Sequence, residues 1–170
     1  MARLFFAIWP DPECAHALQV LSGRIAGQVE GKAVPASKMH LTLAFLGSVD
    51  AAARLAAIDV GSSVKGSPFE ATLDRLGSFR NARVAWAGMS RLPQALAALQ
   101  ASIDARLREQ GFPLEERPFA PHVTLARKTA RPLRGAALDP IAWHVEAFTL
   151  VRSEPGTGRY AIEQRWELKN

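Results

Sequence analysis

The stretch Met39-His40-Leu41-Thr42-Leu43-Ala44-Phe45-Leu46-Gly47 is echoed much later in the chain by Pro121-His122-Val123-Thr124-Leu125-Ala126-Arg127. The shared unit is His-apolar-Thr-Leu-Ala, and its two copies stand about half of the 170-residue chain apart. Side chains on a β-strand alternate faces, so His40 and Thr42 point one way while Leu41 and Leu43 point into a core. His122 and Thr124 share a face in the same manner, opposed by Val123 and Leu125. Either copy alone reads equally well as a buried strand with a core-satisfied histidine. The two together predict one polar site assembled from two similar halves, each half anchored on a rigid strand.

The rest of the chain falls into place around these two strands. Leu4 to Trp9 reads as a buried strand, and Asp11-Pro12 opens a helix with an N-cap and a proline at the first helical position. The spacing Ala15, Leu18, Ser22, Ile25, Val29 carries that helix to Gly31. A loop from Lys32 to Lys38 leads into the first His strand, which Gly47 ends. Asp50 caps a second, Ala-rich helix over Ala51 to Ile58, followed by a loop from Gly61 to Pro68. Phe69 to Leu76 alternates as a half-buried strand, Gly77 to Ala82 turns, and Arg83 to Met89 returns as its hairpin partner. Pro93 opens a third helix, with Leu96, Leu99, Ile103 and Leu107 on one face and Gly111 as its stop. The second His strand, Phe119 to Arg127, follows the loop Pro113 to Pro118. A basic loop from Lys128 to Pro140 and two last strands, Ile141 to Arg152 and Arg159 to Leu168, complete the chain; they are joined by a turn over Glu154 to Gly158. Each half thus carries strand, helix, His-x-Thr strand and further strand. The expected fold is α+β: two similar, duplicated lobes of mostly antiparallel sheet with outer helices, forming a single two-lobed domain over residues 1–170, with the His-x-Thr strands facing a central cleft.

Composition narrows the setting. The chain is 48% hydrophobic and 22% charged, ordinary for a globular protein, and 18.5 kDa suffices for one domain or two small lobes sharing a core. The lone Cys14 excludes an intramolecular disulfide and a multi-cysteine zinc site and reads as a small apolar filler. A net charge of +5 favours anionic partners, nucleic acid among them. The apolar run Leu4 to Trp9 is too short for a membrane span or a signal segment, so a cytoplasmic protein without membrane contact is expected.

Two histidines and two threonines on one cleft suit phosphodiester cleavage. Histidine titrates near ~6.5, so one ring can be neutral and accept a proton while the other is protonated and gives one. Threonine hydroxyls can hold non-bridging phosphate oxygens and keep the phosphorus in line. There is no His-x-x-x-His, aspartate cluster or cysteine pair, so neither a metal nor another cofactor is expected.

These residues carry a resemblance. The opening Arg3-Leu4-Phe5-Phe6-Ala7-Ile8, the block His40 to Gly47, the block Arg117-Pro118-Phe119-Ala120-Pro121-His122-Val123-Thr124-Leu125-Ala126-Arg127 and the late Arg159-Tyr160 before Trp166 resemble the two-histidine phosphoesterase superfamily. Within it they are most similar to the RNA 2′,3′-cyclic phosphodiesterases, also called 2′-5′ RNA ligases. The resemblance implies an enzyme that opens RNA 2′,3′-cyclic phosphate ends to 2′-phosphomonoesters, and the chain is expected to act on them as a monomer. It implies His40 as the general acid at the leaving O3′, His122 as the base that activates water, and Thr42 and Thr124 as phosphate ligands. The pair Lys38-Met39 ahead of the first motif is not what the family pattern leads one to expect.

Arg127 is the fifth residue after His122 and on a regular strand faces away from it. A strand end or bulge there would bring it to the cleft as a phosphate ligand; otherwise it is a solvated arginine. Phe5 and Phe45 offer either a base-stacking face or core packing. Tyr160 fits the cleft wall, the core or the surface, and the arginines at 75, 80, 83, 131 and 134 fit a basic rim or a solvated face. His16 and His144 are read as surface residues. Two other functions share these groups: action on small cyclic nucleotides, or reversible joining of RNA ends through a 2′-5′ linkage. A non-enzymatic RNA-end binding module is the third, although binding alone would more naturally use Arg or Lys.

Overall fold

The computed structural model describes residues 1–134 and 137–170. The fold is α+β, with nine strands and three α-helices among the described residues. Strand β1 (Ala2–Ile8) is followed by α1 (Pro12–Val29), the short β2 (Lys32–Ala33), a single 3-10 turn over Ala36–Lys38, and β3 (Leu41–Val49). Then come α2 (Ala51–Ser63), the hairpin of β4 (Phe69–Phe79) and β5 (Val84–Gly88), α3 (Gln94–Glu109), β6 (His122–Arg127), β7 (Ala137–Val145), β8 (Ala147–Glu154) and β9 (Arg159–Glu167).

The helix starts are those the sequence dictates. The Asp11 carboxylate accepts from the Cys14 N–H at 2.9 Å with Pro12 at the head of α1, and the Asp50 carboxylate accepts from the Ala53 N–H at 2.8 Å. At the far end of α1 the left-handed residue is Glu30, at φ 51°, rather than a glycine. Gly31 serves a different purpose: a Cβ there would come within 2.9 Å of the Arg127 carbonyl, so its bareness lets the helix end approach β6.

All strands pair antiparallel in one sheet ordered β7-β4-β5-β6-β3-β1-β8-β9, with β2 adding to β6. The two His strands, β3 and β6, are neighbours at its centre, and register pairing between them is confined to Leu41↔Val123. The sheet is thereby two four-stranded halves meeting at the repeat: β3-β1-β8-β9 and β6-β5-β4-β7.

These lobes are not the two halves of the sequence, as the order of elements had suggested. The first lobe takes its outer strands β8 and β9 from the C-terminal end of the chain, and the second takes β4 and β5 from the middle. The helices are exchanged as well. α1, between two strands of the first lobe, packs on β6, β7 and β5 of the second; α3, between two strands of the second, packs on β3 and α2. The expected strand Ile141 to Arg152 is in fact two, broken at Glu146 so that β7 belongs to one lobe and β8 to the other. Its alternating pattern runs across the break and hides it. The expected loop Lys128 to Pro140 includes residues 135 and 136, outside the described residues, and its last positions, from Ala137 on, are already β7. The Lys32 to Lys38 loop contains β2 and the 3-10 turn, and the hairpin turn shortens to Arg80–Arg83.

The main core lies between the sheet and the helices and includes Leu4, Phe6, Leu18, Ile25, Leu41, Leu99, Val123, Trp143 and Phe148. Cys14 is buried in it, and burial pushes its thiol up to about 12, in keeping with an inert filler. A smaller cluster of Phe5, Ala7 and Val151, with Trp9 and Tyr160 packed on it, belongs to the first lobe. No helix of the described residues is long and apolar enough to cross a membrane.

Helix α2 lies unusually close to β9, because a Cβ on Gly61 would fall 2.2 Å from the Trp166 ring, which stacks on Phe148 at 5.1 Å. Alanine gains up to about 1 kcal/mol of helix propensity over glycine, whereas overpacking costs typically ~1–3 kcal/mol. Gly61→Ala is therefore expected to be net destabilising in urea unfolding, and a midpoint at or above wild type would contradict this packing.

Candidate active site

The register pair Leu41↔Val123 places both residues in the core with no exposed surface. Extending that antiparallel register by one residue either way sets His40 across from Thr124 and Thr42 across from His122. All four polar side chains then lie on the opposite face of the junction. They line one cavity of about 360 Å³, shared with Lys38, Arg117, Arg127, Val34, Phe79, Ala82 and Val84.

Each imidazole is held in the same way. His40 Nδ1 bonds the Lys38 carbonyl at 2.7 Å, and His122 Nδ1 bonds the Ala120 carbonyl at 2.7 Å. A carbonyl can only accept, so Nδ1 carries the proton in both rings. Nε2 is left as the working nitrogen: a base when bare, an acid when protonated. In both copies the partner is the backbone two residues back, so the repeat extends to a contact that side-chain identities do not encode.

The rings around the two histidines differ. Phe5 stacks on His40 at 4.9 Å and 29°, with Trp9 at 5.3 Å and Tyr160 edge-on at 5.5 Å. His122 meets Phe79 edge-on at 5.0 Å, with Trp86 at 6.4 Å. Burial of the His40 ring lowers its pKa from the usual histidine range; the bond to the Lys38 carbonyl works against this, while Arg127 and His122 add to the lowering.

Arg127 reaches the cavity because β6 bulges. Its pairing with β5 steps from Ala85↔Ala126 to Trp86↔Thr124, skipping Leu125, and Leu125 and Ala126 are consecutively buried. The inserted residue reverses the alternation, so the fifth position after His122 returns to the histidine's face. The Leu125 carbonyl accepts from the Val34 N–H at 2.9 Å and from the Ser22 hydroxyl at 2.7 Å, tying the bulge to α1. β3 carries the same bulge, stepping from Phe6↔Ala44 to Ala7↔Thr42 and skipping Leu43. Both copies of the motif bulge at their leucine.

Other expectations resolve individually. Phe5 is 5% exposed and gives its face to His40, whereas Phe45 is 49% exposed beneath Arg3, whose guanidinium carbon sits 5.5 Å from the ring centre. Tyr160 packs around His40 without lining the cavity. None of the arginines at 75, 80, 83, 131 and 134 lines it either. Arg83 donates instead to the Thr129 carbonyl at 3.0 Å, and Arg131 pairs with Glu30. His16 is exposed, and His144 is a surface residue whose bond to the Glu70 carboxylate, at 2.5 Å, raises its pKa. Sequence reasoning missed Lys38, Arg117 and Phe79 as cavity residues. Position alone pointed to the first two, which stand just ahead of the two motifs.

In a proton NMR titration His40 is expected to show a midpoint below the ordinary ~6.5. Removing a nearby positive charge favours the protonated ring, so Arg127→Ala is expected to raise that midpoint. A midpoint left in place or lowered by the substitution would show that Arg127 does not act on His40.

The 2′-5′ RNA ligase superfamily matches residues 9–157. The chain is 32% identical to an RNA 2′,3′-cyclic phosphodiesterase of Escherichia coli, covering 98% of this chain and 96% of that protein. It is 31% identical to one of Thermus thermophilus, over 98% of this chain and 90% of that protein. The crystal structure of E. coli LigT complexed with 3′-AMP superposes with a TM-score of 0.86 at 32% identity, covering 99% of both chains. With a family match across most of its length and full-length relatives of the same fold, the chain belongs to the 2′-5′ RNA ligase superfamily.

Proposed function

We infer that the chain hydrolyses RNA 2′,3′-cyclic phosphate ends to RNA 2′-phosphomonoesters, its two lobes working as one phosphoesterase unit. The observation that carries this is the matched pair of imidazoles, each with Nδ1 tied to a carbonyl and each accompanied by a threonine in a cavity that also holds Arg127. The relatives named for this activity support the reading.

The cyclic phosphate is an anion, and the net charge of +5 attracts RNA toward the protein. In the cleft, Thr42 and Thr124 donate hydroxyl protons to its non-bridging oxygens, and the Arg127 guanidinium offsets charge developing on them. His122 Nε2 takes a proton from water as the water oxygen bonds to phosphorus. The P–O3′ bond breaks, and His40 Nε2–H protonates the departing O3′. Proton exchange with solvent resets both rings. Burial, the main cause of the lowered His40 pKa, persists when substrate is bound. A bound phosphate opposes the effect of Arg127 and His122, so substrate itself draws a proton onto the acid.

The groups named supply general acid, general base and charge stabilisation from side chains alone. End-product analysis of a cyclic-phosphate-ended oligonucleotide is expected to give the 2′-phosphate at the same rate with and without chelator; loss of activity with chelator refutes the side-chain mechanism. His40→Ala and His122→Ala are each expected to lower kcat by ~10²–10⁴, with unchanged circular dichroism. Near-normal turnover by either variant would sink the acid–base assignment, and tight RNA binding without product would point to an end-binding module.

A further inference from the structure

Both ester oxygens of a 2′,3′-cyclic phosphate belong to the terminal ribose. With water entering from His122 and O3′ leaving toward His40, in-line geometry puts that ribose, and every nucleotide on its 5′ side, toward the first lobe. The side chains on the helix-free side of that lobe's sheet therefore bear on how an RNA strand is held beyond the cavity.

Phe45 stands on that side. The skipped Leu43 returns it to the face of Thr42, three residues on, at most ~10 Å along the strand and outside the cavity. Its register partner Phe5 is buried, whereas Phe45 stays half-exposed. Arg3 of β1 lies over the Phe45 ring and is itself exposed. A guanidinium stacked on a ring still has its N–H edge free for two phosphate oxygens.

Charge on the two sides of the sheet is arranged differently. On the helix side Arg54 and Arg152 share the Glu163 carboxylate. Arg3 has no ion-pair partner among the described residues. The cross-strand row of Phe45, Phe5, Val151 and Ile162 contains no carboxylate, and neither does the row of Arg3, which runs from Ser48 to Tyr160. Over the Tyr160 ring lies the Lys38 ammonium, 5.9 Å from its centre. Two cations, each laid on an aromatic ring and with no acid in either row, match the backbone of a single nucleic-acid strand.

We propose that Arg3, seated on Phe45, binds the RNA backbone on the 5′ side of the cyclic end, so that the protein selects oligonucleotide ends over cyclic mononucleotides. This rests on the cyclic-phosphate reading and on O3′ leaving toward His40. Arg3 does not line the cavity; it acts on the choice of substrate, and Phe45 positions it.

The test is a ratio of kcat/KM values, a cyclic-phosphate-ended oligonucleotide over a nucleoside 2′,3′-cyclic phosphate that has no backbone phosphate. Any disturbance of His40 or of folding slows both substrates and cancels in the ratio. Arg3→Gln is expected to lower the ratio about three- to tenfold, the scale of a charge-assisted contact at a surface. Phe45→Leu is expected to lower it in the same way, and the double variant no further, because the ring acts through the guanidinium. The wild-type ratio is expected to fall with rising salt, and Arg3→Gln to flatten that dependence by about 0.7 in log–log slope, the value of one phosphate contact on a single strand. A ratio or a salt slope unchanged by Arg3→Gln overturns the contact, and falls that multiply in the double variant overturn the seating of Arg3 by Phe45. A wild-type ratio near one overturns this proposal alone, whereas consumption of neither substrate overturns the hydrolase reading beneath it as well.

Discussion

The antiparallel contact between the two His strands at Leu41↔Val123 is the constraint on which everything else in this protein depends. It is a small contact, yet it sits at the centre of the sheet and fixes the register of both motifs at once. A one-residue slip would invert the faces and send the histidines toward the core. Because the contact is antiparallel and the motifs are alike, it places each histidine across from the other strand's threonine. Burial of Leu41 and Val123, both without exposed surface, resists such a slip.

The motif encodes more than four polar side chains. Its leucine, Leu43 in one copy and Leu125 in the other, is skipped in the pairing with the neighbouring strand, and both strands change face at that point. In β6 the change brings Arg127 into the cavity beside the pair it follows. In β3 the matching position is Phe45, under Arg3. The duplication therefore conserves the backbone device while the side chain it delivers differs, a cation in one lobe and an aromatic ring in the other. The same division holds around the imidazoles: identical carbonyl bonds from Nδ1, dissimilar rings on every other side.

Much of this was legible in the sequence, and the limits have physical causes. Helix starts at Asp11 and Asp50 were readable because a cap is local chemistry. The faces of His40, Thr42, His122 and Thr124 were readable because strand periodicity is local too. Arg127 was ambiguous because parity counting fails wherever a strand bulges, and a bulge is set by the neighbouring strand and by Ser22 of a distant helix. The break at Glu146 was missed because Val145 and Ala147 keep alternating across it although they serve different lobes. Lobe membership was invisible for the same reason: it is decided by pairings such as β1 with β8, which no local pattern records. Phe79 carried no signal of its own, since its place in the cavity depends on the Trp86 ring beside it, for which glycines at 77 and 88 leave room.

The exchange of helices between lobes has a consequence for how the molecule can move and form. The first lobe is not a contiguous piece of chain, whereas the four strands of the second all fall between Phe69 and Val145, and each lobe keeps its apolar face covered with a helix that enters from between strands of the other. The Thr149 hydroxyl donates to the Ala7 carbonyl across 142 positions of sequence, so the first lobe closes only when almost the entire chain has been made. Formation of so many distant pairings is slow, because loop-closure entropy must be met before the contacts return anything. Once formed, the lobes are laced together. Swinging them apart about their narrow central contact would strain the connections by which α1 and α3 pass from one lobe to the other, so the weave of the chain resists a widening of the cleft.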